Sequence, residues 1–198
     1  IITPAGSDDR TASGCICFRD LRGSTLRIIG GAWRGRRLKA LKGKNVRPTT
    51  DRVREAWMSA MGGRFDGLSV LDLFSGSGAL GLEALSRGAE RVVFVEQSRA
   101  ARDVIRANIE LLGAEAKCRV VSTDVFRFLL GRPGDFDLAV ADPPYATGDA
   151  AKLVAHYLES PFARELWLEH PSRETLDVPE TARTRRYGDT ALTTLSES

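Results

Sequence analysis

The sequence predicts an α/β domain, with a largely parallel sheet, helices on both of its faces, and an antiparallel hairpin closing the end. Three observations predict it. Short apolar runs alternate with helix-forming segments at the spacing of strand-helix-strand units. The first such run, Val70 to Leu73, leads into closely spaced glycines and then a helix, the strand-turn-helix arrangement at which small molecules bind. Near the end, Thr181 to Arg186 and Thr190 to Leu195 are alternating runs split by Tyr187-Gly188-Asp189, a hairpin signal.

Length and composition bound the rest. At 198 residues the chain can bury one core with some excess, and 42% hydrophobic with 28% charged residues is ordinary for a globular protein. No window approaches a membrane span and no segment resembles a signal peptide, so a cytoplasmic protein is expected. Cys15, Cys17 and Cys118 are odd in number and suit neither a disulfide framework nor a paired metal knuckle; reduced thiols are expected. The net charge of +3 conceals an asymmetry. From Arg22 to Arg54 eleven basic residues face one acid, Asp51, so that segment carries +10 and the remainder −7. A one-sided block of this kind is a footprint of contact with a polyanion, here read as nucleic acid.

Taken in order, residues 1–24 lack periodicity and read as a disordered tail or extension without assigned function. Residues 25–62 form a basic, β-rich extension with a first helix, and residues 63–198 form the main domain. Leu26 to Ala40 alternates around Gly30-Gly31, which predicts short strands joined by a tight turn. Within it Trp33, beside Arg34, Arg36 and Arg37, either stacks on a base while the guanidinium groups take phosphates, or anchors the arm to the domain. Arg47-Pro48-Thr49-Thr50-Asp51-Arg52-Val53-Arg54 precedes apolar residues at helical spacing (Val53, Ala56, Trp57, Ala60, Met61), a helix capped by Thr50 or Asp51 and stopped by Gly62-Gly63. Further elements follow at Ala79 to Ser86 (helix), Arg91 to Val95 (strand), Ala100 to Leu112 (helix), Arg119 to Val121 (strand), Phe126 to Leu130 (helix), Phe136 to Ala141 (strand) and Leu166 to His170 (strand). Asp72, Glu96, Asp124 and Asp142 fall at or near the carboxyl ends of the parallel strands, where such sheets bind ligands.

Two motifs carry chemistry. Gly76, Gly78 and Gly81 satisfy G-x-G-x-x-G, and Glu96 ends the next strand where a ribose-binding carboxylate would lie. This fits a nicotinamide cofactor or another nucleoside-bearing one equally well. Asp142-Pro143-Pro144-Tyr145 discriminates between them. Two prolines fix φ and donate no hydrogen bond, so they hold their carbonyls and the preceding carboxylate in a stiff, acceptor-rich loop. An exocyclic amine on a nucleobase has its lone pair delocalised into the ring and needs acceptors more than a strong base. Asp142 and the Pro143 carbonyl accept its two N–H bonds, and Tyr145 offers a stacking face.

These stretches together resemble one family. Leu26-Arg27-Ile28-Ile29-Gly30-Gly31, the Arg47 to Glu55 motif, Leu71 to Ala89, Asp142 to Tyr145, and Tyr187-Gly188-Asp189-Thr190 look like the RsmD family of bacterial methyltransferases, which modify N2 of a guanine in 16S ribosomal RNA. The resemblance implies a class I S-adenosylmethionine-dependent methyltransferase fold, Rossmann-like and seven-stranded, with S-adenosylmethionine as donor. It implies that Asp72, Ser75, Gly76 and Gly78 line the methionine portion, Glu96 holds the ribose hydroxyls and Asp124 contacts the adenine amine, with Phe74 and Val125 also in the cofactor site. By the same likeness Asp142, Pro143, Pro144 and Tyr145 hold the target guanine, Asp142 also facing the cofactor. Trp33, Arg34, Arg36, Arg37, Arg47, Thr49, Thr50, Arg52 and Arg54 would meet the RNA, as 16S ribosomal RNA or the small subunit, in a monomer without membrane or metal. Ser75 stands where the family often has Ala. The competing readings are a DNA adenine-N6 methyltransferase, since Asp-Pro-Pro-Tyr suits any exocyclic amine, and a non-catalytic RNA-binding ribosome-assembly module. A nicotinamide oxidoreductase is disfavoured by Asp-Pro-Pro-Tyr and the terminal hairpin. His156 and His170 are isolated and read as surface or core residues rather than ligands.

Overall fold

The computed structural model describes residues 26–41, 51–131 and 134–197, with only the backbone of 51–53. The expectations for residues 1–24, including Cys15 and Cys17, and for Arg47, Thr49 and Thr50 lie outside them.

The sheet grows from three parallel neighbours, β1 (Ser69–Leu73), β2 (Arg91–Val95) and β3 (Cys118–Val121), and continues through β4 (Phe136–Ala141), β5 (Ala163–Pro171), β6 (Arg183–Tyr187) and β7 (Thr190–Ser196). Its order is β3-β2-β1-β4-β5-β7-β6, parallel except where β7 pairs antiparallel with β5 and β6. The helices are α1 (Asp51–Ala60), α2 (Ala79–Ser86), α3 (Arg99–Leu112), α4 (Val125–Leu130) and α5 (Asp149–Glu159). α5 is not among the elements expected from the sequence, although Ala150, Leu153, Val154 and Tyr157 recur at helical spacing on its buried side. No helix among the described residues is long and apolar enough to cross a membrane.

Alternation along each strand sends apolar side chains to both faces, as buried parallel strands require. Val70, Val92, Phe94, Leu138 and Val140 join Trp57 and Met58 of α1, the apolar side of α2, and Ile105 and Ile109 of α3. Leu71, Leu73, Val93, Ala139 and Ala141 join Val125, Leu129, Leu153, Val154 and Tyr157 on the other face. β1 has β2 on one side and β4 on the other, so the strand order reverses at β1/β4 and leaves a crevice at their carboxyl ends.

The basic arm is less β-rich than predicted. Leu26 to Leu41 contains one isolated antiparallel bridge, Arg27 with Arg37, and a 3-10 turn over Gly31–Trp33. Its backbone is claimed by the domain instead. Glu83, fully buried on α2, accepts the Ile29 and Gly30 N–H groups at 2.7 and 2.8 Å and the Arg87 Nε at 2.8 Å. Ser86 donates to the Gly30 carbonyl at 2.6 Å and accepts from the Trp33 N–H at 2.9 Å. At Gly31 (φ +75°) a Cβ would stand 1.8 Å from the Ser86 carbonyl oxygen, so only glycine fits this approach.

Candidate active site

The turn after β1 starts from strain. Phe74 has φ +54°, the only positive φ among the described non-glycine residues, and its ring meets Phe126 edge-on at 6.2 Å. Ser75 turns inward: its hydroxyl donates to the Asp72 carbonyl at 2.6 Å and lies 3.2 Å from that of Val95, tying the turn to the sheet rather than facing a ligand. Gly76 (φ +54°) then bares its N–H, which donates to Glu96 Oε2 at 2.9 Å. Gly78 (φ +78°) precedes α2, and a Cβ there would press on Phe94 and Ile105 at 3.3 Å. Gly81 is a packing glycine, because a Cβ would come within 2.5 Å of Phe94 and 2.9 Å of Asp72 Oδ2.

A cavity of about 200 Å³ opens at the carboxyl ends of β1, β2 and β4, walled by Phe74, Gly76, Val95, Glu96, Gln97, Asp124, Val125, Asp142 and Pro144. Its chemistry is divided. Phe74, Val95 and Val125 give apolar walls, while Glu96, Asp124 and Asp142 give carboxylates. Glu96 also accepts the Ser98 N–H at 2.7 Å, and Asp124 caps α4 by accepting the Arg127 N–H at 3.0 Å. Asp72 lies beneath the wall rather than in it. It is 1% exposed, accepts the Gly81 N–H at 2.9 Å, and its pKa is held well above the usual carboxylate range by burial first, then by the nearby charges of Glu96 and Asp142.

Beside the cavity the proline loop leaves β4. Pro143 is buried, Asp142 half-buried, and Pro144 and Tyr145 are exposed. Tyr145 is held at its far end, where its hydroxyl donates to Glu169 Oε1 at 2.9 Å and lies 3.1 Å from Thr190 Oγ1. Burial pushes the phenol up to about 12. Glu169 on β5 and Thr190 on β7 were not among the predicted site residues, nor was Gln97. Glu169 does sit next to the carboxyl end of its strand, which was the available signal.

The arm's predicted contacts divide. Arg34 and Arg37 are exposed. Arg36 is exposed but also donates to the Leu111 carbonyl at 2.8 Å, satisfying the end of α3. Trp33 is half-buried against the core, which favours the anchoring role. Arg54 corrects the expectation of an RNA contact, being 1% exposed with its guanidinium donating to the Arg27 carbonyl at 2.8 Å. An arginine enclosed this way holds the arm to α1 and cannot reach a phosphate. The side chain of Arg52 lies outside the described residues. Asn108, fully buried on α3, accepts the Lys39 N–H at 2.7 Å and donates to the Lys39 and Ser77 carbonyls at 3.0 Å, joining arm, helix and glycine turn.

His156 stacks on Phe162, and His170 is buried with Nδ1 3.1 Å from the Pro171 carbonyl and Nε2 2.8 Å from Thr193 Oγ1. Among the described residues no group of three or more His, Cys, Asp or Glu side chains could hold a metal ion.

A parallel sheet with a terminal antiparallel hairpin and an acidic crevice at its reversal point defines a class I S-adenosylmethionine-dependent methyltransferase fold. The chain belongs to the family described as conserved hypothetical protein 95, whose model matches residues 26–196. It is 41% identical over 123 residues to the ribosomal RNA small subunit methyltransferase D of Escherichia coli K12, a match spanning 62% of each chain. A solved Escherichia coli protein described as a methyltransferase superposes with TM-score 0.72 at 32% identity, covering 86% of this chain and 96% of the other. A methyltransferase solved with S-adenosylhomocysteine shares the fold, with TM-score 0.55, 19% identity, and 72% and 48% coverage.

The crevice fits S-adenosylmethionine on its own chemistry. A sulfonium cation suits a site with the Asp142 carboxylate at its wall. Ribose hydroxyls suit the Glu96 carboxylate, and an adenine face suits Phe74, Val95 and Val125 with the Asp124 acceptor at the edge. When bound, the cofactor supplies an electrophilic methyl group.

Proposed function

We propose that the chain transfers a methyl group from S-adenosylmethionine to the exocyclic N2 of a guanine in 16S ribosomal RNA. The observation that carries this reading is the Asp142-Pro143-Pro144-Tyr145 loop at the acidic crevice, with Asp142 and Pro144 in the crevice wall and Tyr145 beside it, braced by Glu169 and Thr190. The Escherichia coli relative, named for the small-subunit RNA, supports the choice of substrate.

The residues divide the work between binding and positioning. Tyr145 presents a ring whose orientation is fixed through its hydroxyl, so a base stacked on it loses little more freedom in reaching the reactive pose. Asp142 and the Pro143 carbonyl accept the two N–H bonds of the amine, favouring positive charge on nitrogen as it attacks, and the surplus proton then leaves nitrogen for the Asp142 carboxylate and from there for water. Glu96 and Asp124 orient the nucleoside of the donor from the opposite wall. The bracing of Phe74 by Phe126 and of Ser75 by the sheet keeps the turn from relaxing away from it.

Incubation with labelled S-adenosylmethionine and small-subunit particles lacking the modification, followed by nucleoside mass spectrometry, tests the proposal. Label in N2-methylguanosine is expected. Label in N6-methyladenine of DNA offered in parallel would replace the substrate, and retention of RNA without label would leave a binding module.

A further inference from the structure

β6 is the outermost strand of the sheet, pairing only with β7, and it carries Arg183, Arg185 and Arg186, all exposed. The residues opposite them are Thr194, Leu192 and Ala191, which offer no charge. None of the three arginines makes an ion pair with a carboxylate among the described residues. Outside the stretch from Arg22 to Arg54 the chain is net acidic, so this basic edge is an island.

Register gives the island a direction. Strand residues two apart share a face, so Arg183, Arg185 and Tyr187 look one way, and Tyr187 packs against the core cluster that contains α1, α2 and the arm. Arg185 stands opposite Leu192, and Leu192 stands opposite Glu169, the residue that holds the Tyr145 hydroxyl. With strands about 4.8 Å apart, the Arg185 backbone is about 10 Å from that of Glu169 on the same side of the sheet. Arg186 projects from the opposite face of the strand, but its backbone lies beside Tyr187, whose partner is Thr190, the second anchor of Tyr145. A charge that only guards an edge against stray pairing needs neither this face nor this row.

Resting on the RNA reading above, we propose that β6 is a second phosphate-binding edge, on which Arg183, Arg185 and Arg186 grip the RNA backbone on the side of the target-base rim away from the arm. The arm sits over α2 and α3 and the edge sits beyond β7, so the rim lies between two basic surfaces. Held on both flanks, a nucleotide strand is stretched across the proline loop, which favours unstacking of the base between them.

The test uses the full chain and an in vitro transcript of 16S ribosomal RNA, with binding measured across a salt series. The triple substitution Arg183→Gln/Arg185→Gln/Arg186→Gln is expected to lower RNA affinity about tenfold or more and to flatten the log affinity against log salt slope by about 2, at roughly 0.7 for each phosphate no longer neutralised. S-adenosylmethionine affinity stays within twofold, which shows that the crevice is intact. Replacement by three lysines restores most of the slope. An unchanged slope and affinity in the glutamine variant would overturn the edge while leaving the methyltransferase reading standing. Wild-type protein that transfers no methyl group to the transcript or to small-subunit particles and binds the transcript without salt dependence would overturn both.

Discussion

The two walls of the candidate site, the proposed cofactor wall and the proposed target-base rim, are built in different ways. The cofactor wall comes from consecutive strand ends: Phe74 and Gly76 after β1, Glu96 after β2, Asp124 after β3. Each residue sits within a turn of the strand that places it, so its position follows from local chain geometry. The target-base rim has one local part, the loop after β4, and a brace from elsewhere. Tyr145 is held by Glu169 and Thr190, 24 and 45 residues further along the chain, on an antiparallel pair. A wall made of successive turns is specified by motifs, whereas a wall made of distant strands depends on register.

The sharpest separation of the two walls comes from Asp142, which touches both. Asp142→Ala is expected to lower kcat by about 1,000-fold, the scale of losing a positioned group that stabilises developing charge, while calorimetric affinity for S-adenosylmethionine changes by a few fold. Equal loss of both would make the residue structural. On the cofactor wall alone, Glu96→Ala is expected to weaken S-adenosylmethionine by about 1 to 3 kcal/mol, because buried hydroxyls lose their acceptor and the Gly76 N–H loses its partner. RNA affinity in the absence of cofactor should not move; a matching fall there would merge the walls.

On the rim alone, Glu169→Ala should raise KM for RNA by a factor corresponding to about 1 to 2 kcal/mol, with cofactor affinity unchanged, since the Tyr145 hydroxyl loses a charged acceptor. Glu169→Gln keeps an oxygen in place and should recover part of it. A KM indifferent to both would release Tyr145 from its brace.

The smallest effect concerns pH and the strand pair that carries the brace. Burial lowers the His170 pKa below its ordinary value of 6.5, so the fold prefers neutral imidazole. Its Nδ1–H donates to the Pro171 carbonyl, and Nε2 accepts from Thr193, whose hydroxyl lies 2.8 Å from that of Thr184 on β6. A folded-state pKa below the unfolded one contributes stability that is full above pH 6.5 and is lost as pH falls from there through the lowered folded value. Urea midpoints measured from pH 7.5 to 5 should show this decline in wild type and a flatter profile in His170→Gln.

Legibility in the sequence followed the same division. The spacing of Gly76 and Gly78 and the carboxylates at successive strand ends pointed to the crevice at the carboxyl ends of the parallel strands, and Asp142 to Tyr145 marked the loop that leaves β4 beside it. Glu169 and Thr190 went unread: Glu169 lies near its strand's carboxyl end, but nothing local marks that a carboxylate in a nine-residue strand will meet a tyrosine from another loop. Arg54 misled for a related reason. In a run of arginines flanking a helix start every guanidinium looks solvated, and only the packing of α1 under the arm encloses this one. Ser75 and Gly81 lie inside the glycine motif, yet they serve the turn and its packing.

The sequence alone determined the strands of the sheet and every helix except α5, the hairpin at the end and the acidic strand termini, because periodicity and turn chemistry act over a few residues. The tertiary structure alone decided which charges face solvent and which are enclosed. It also decided that Glu83, Ser86 and Asn108 would fix the basic arm in place, and that the far strands would brace the rim. Those outcomes require groups separated by tens of residues to exclude water together, and no short-range pattern encodes that.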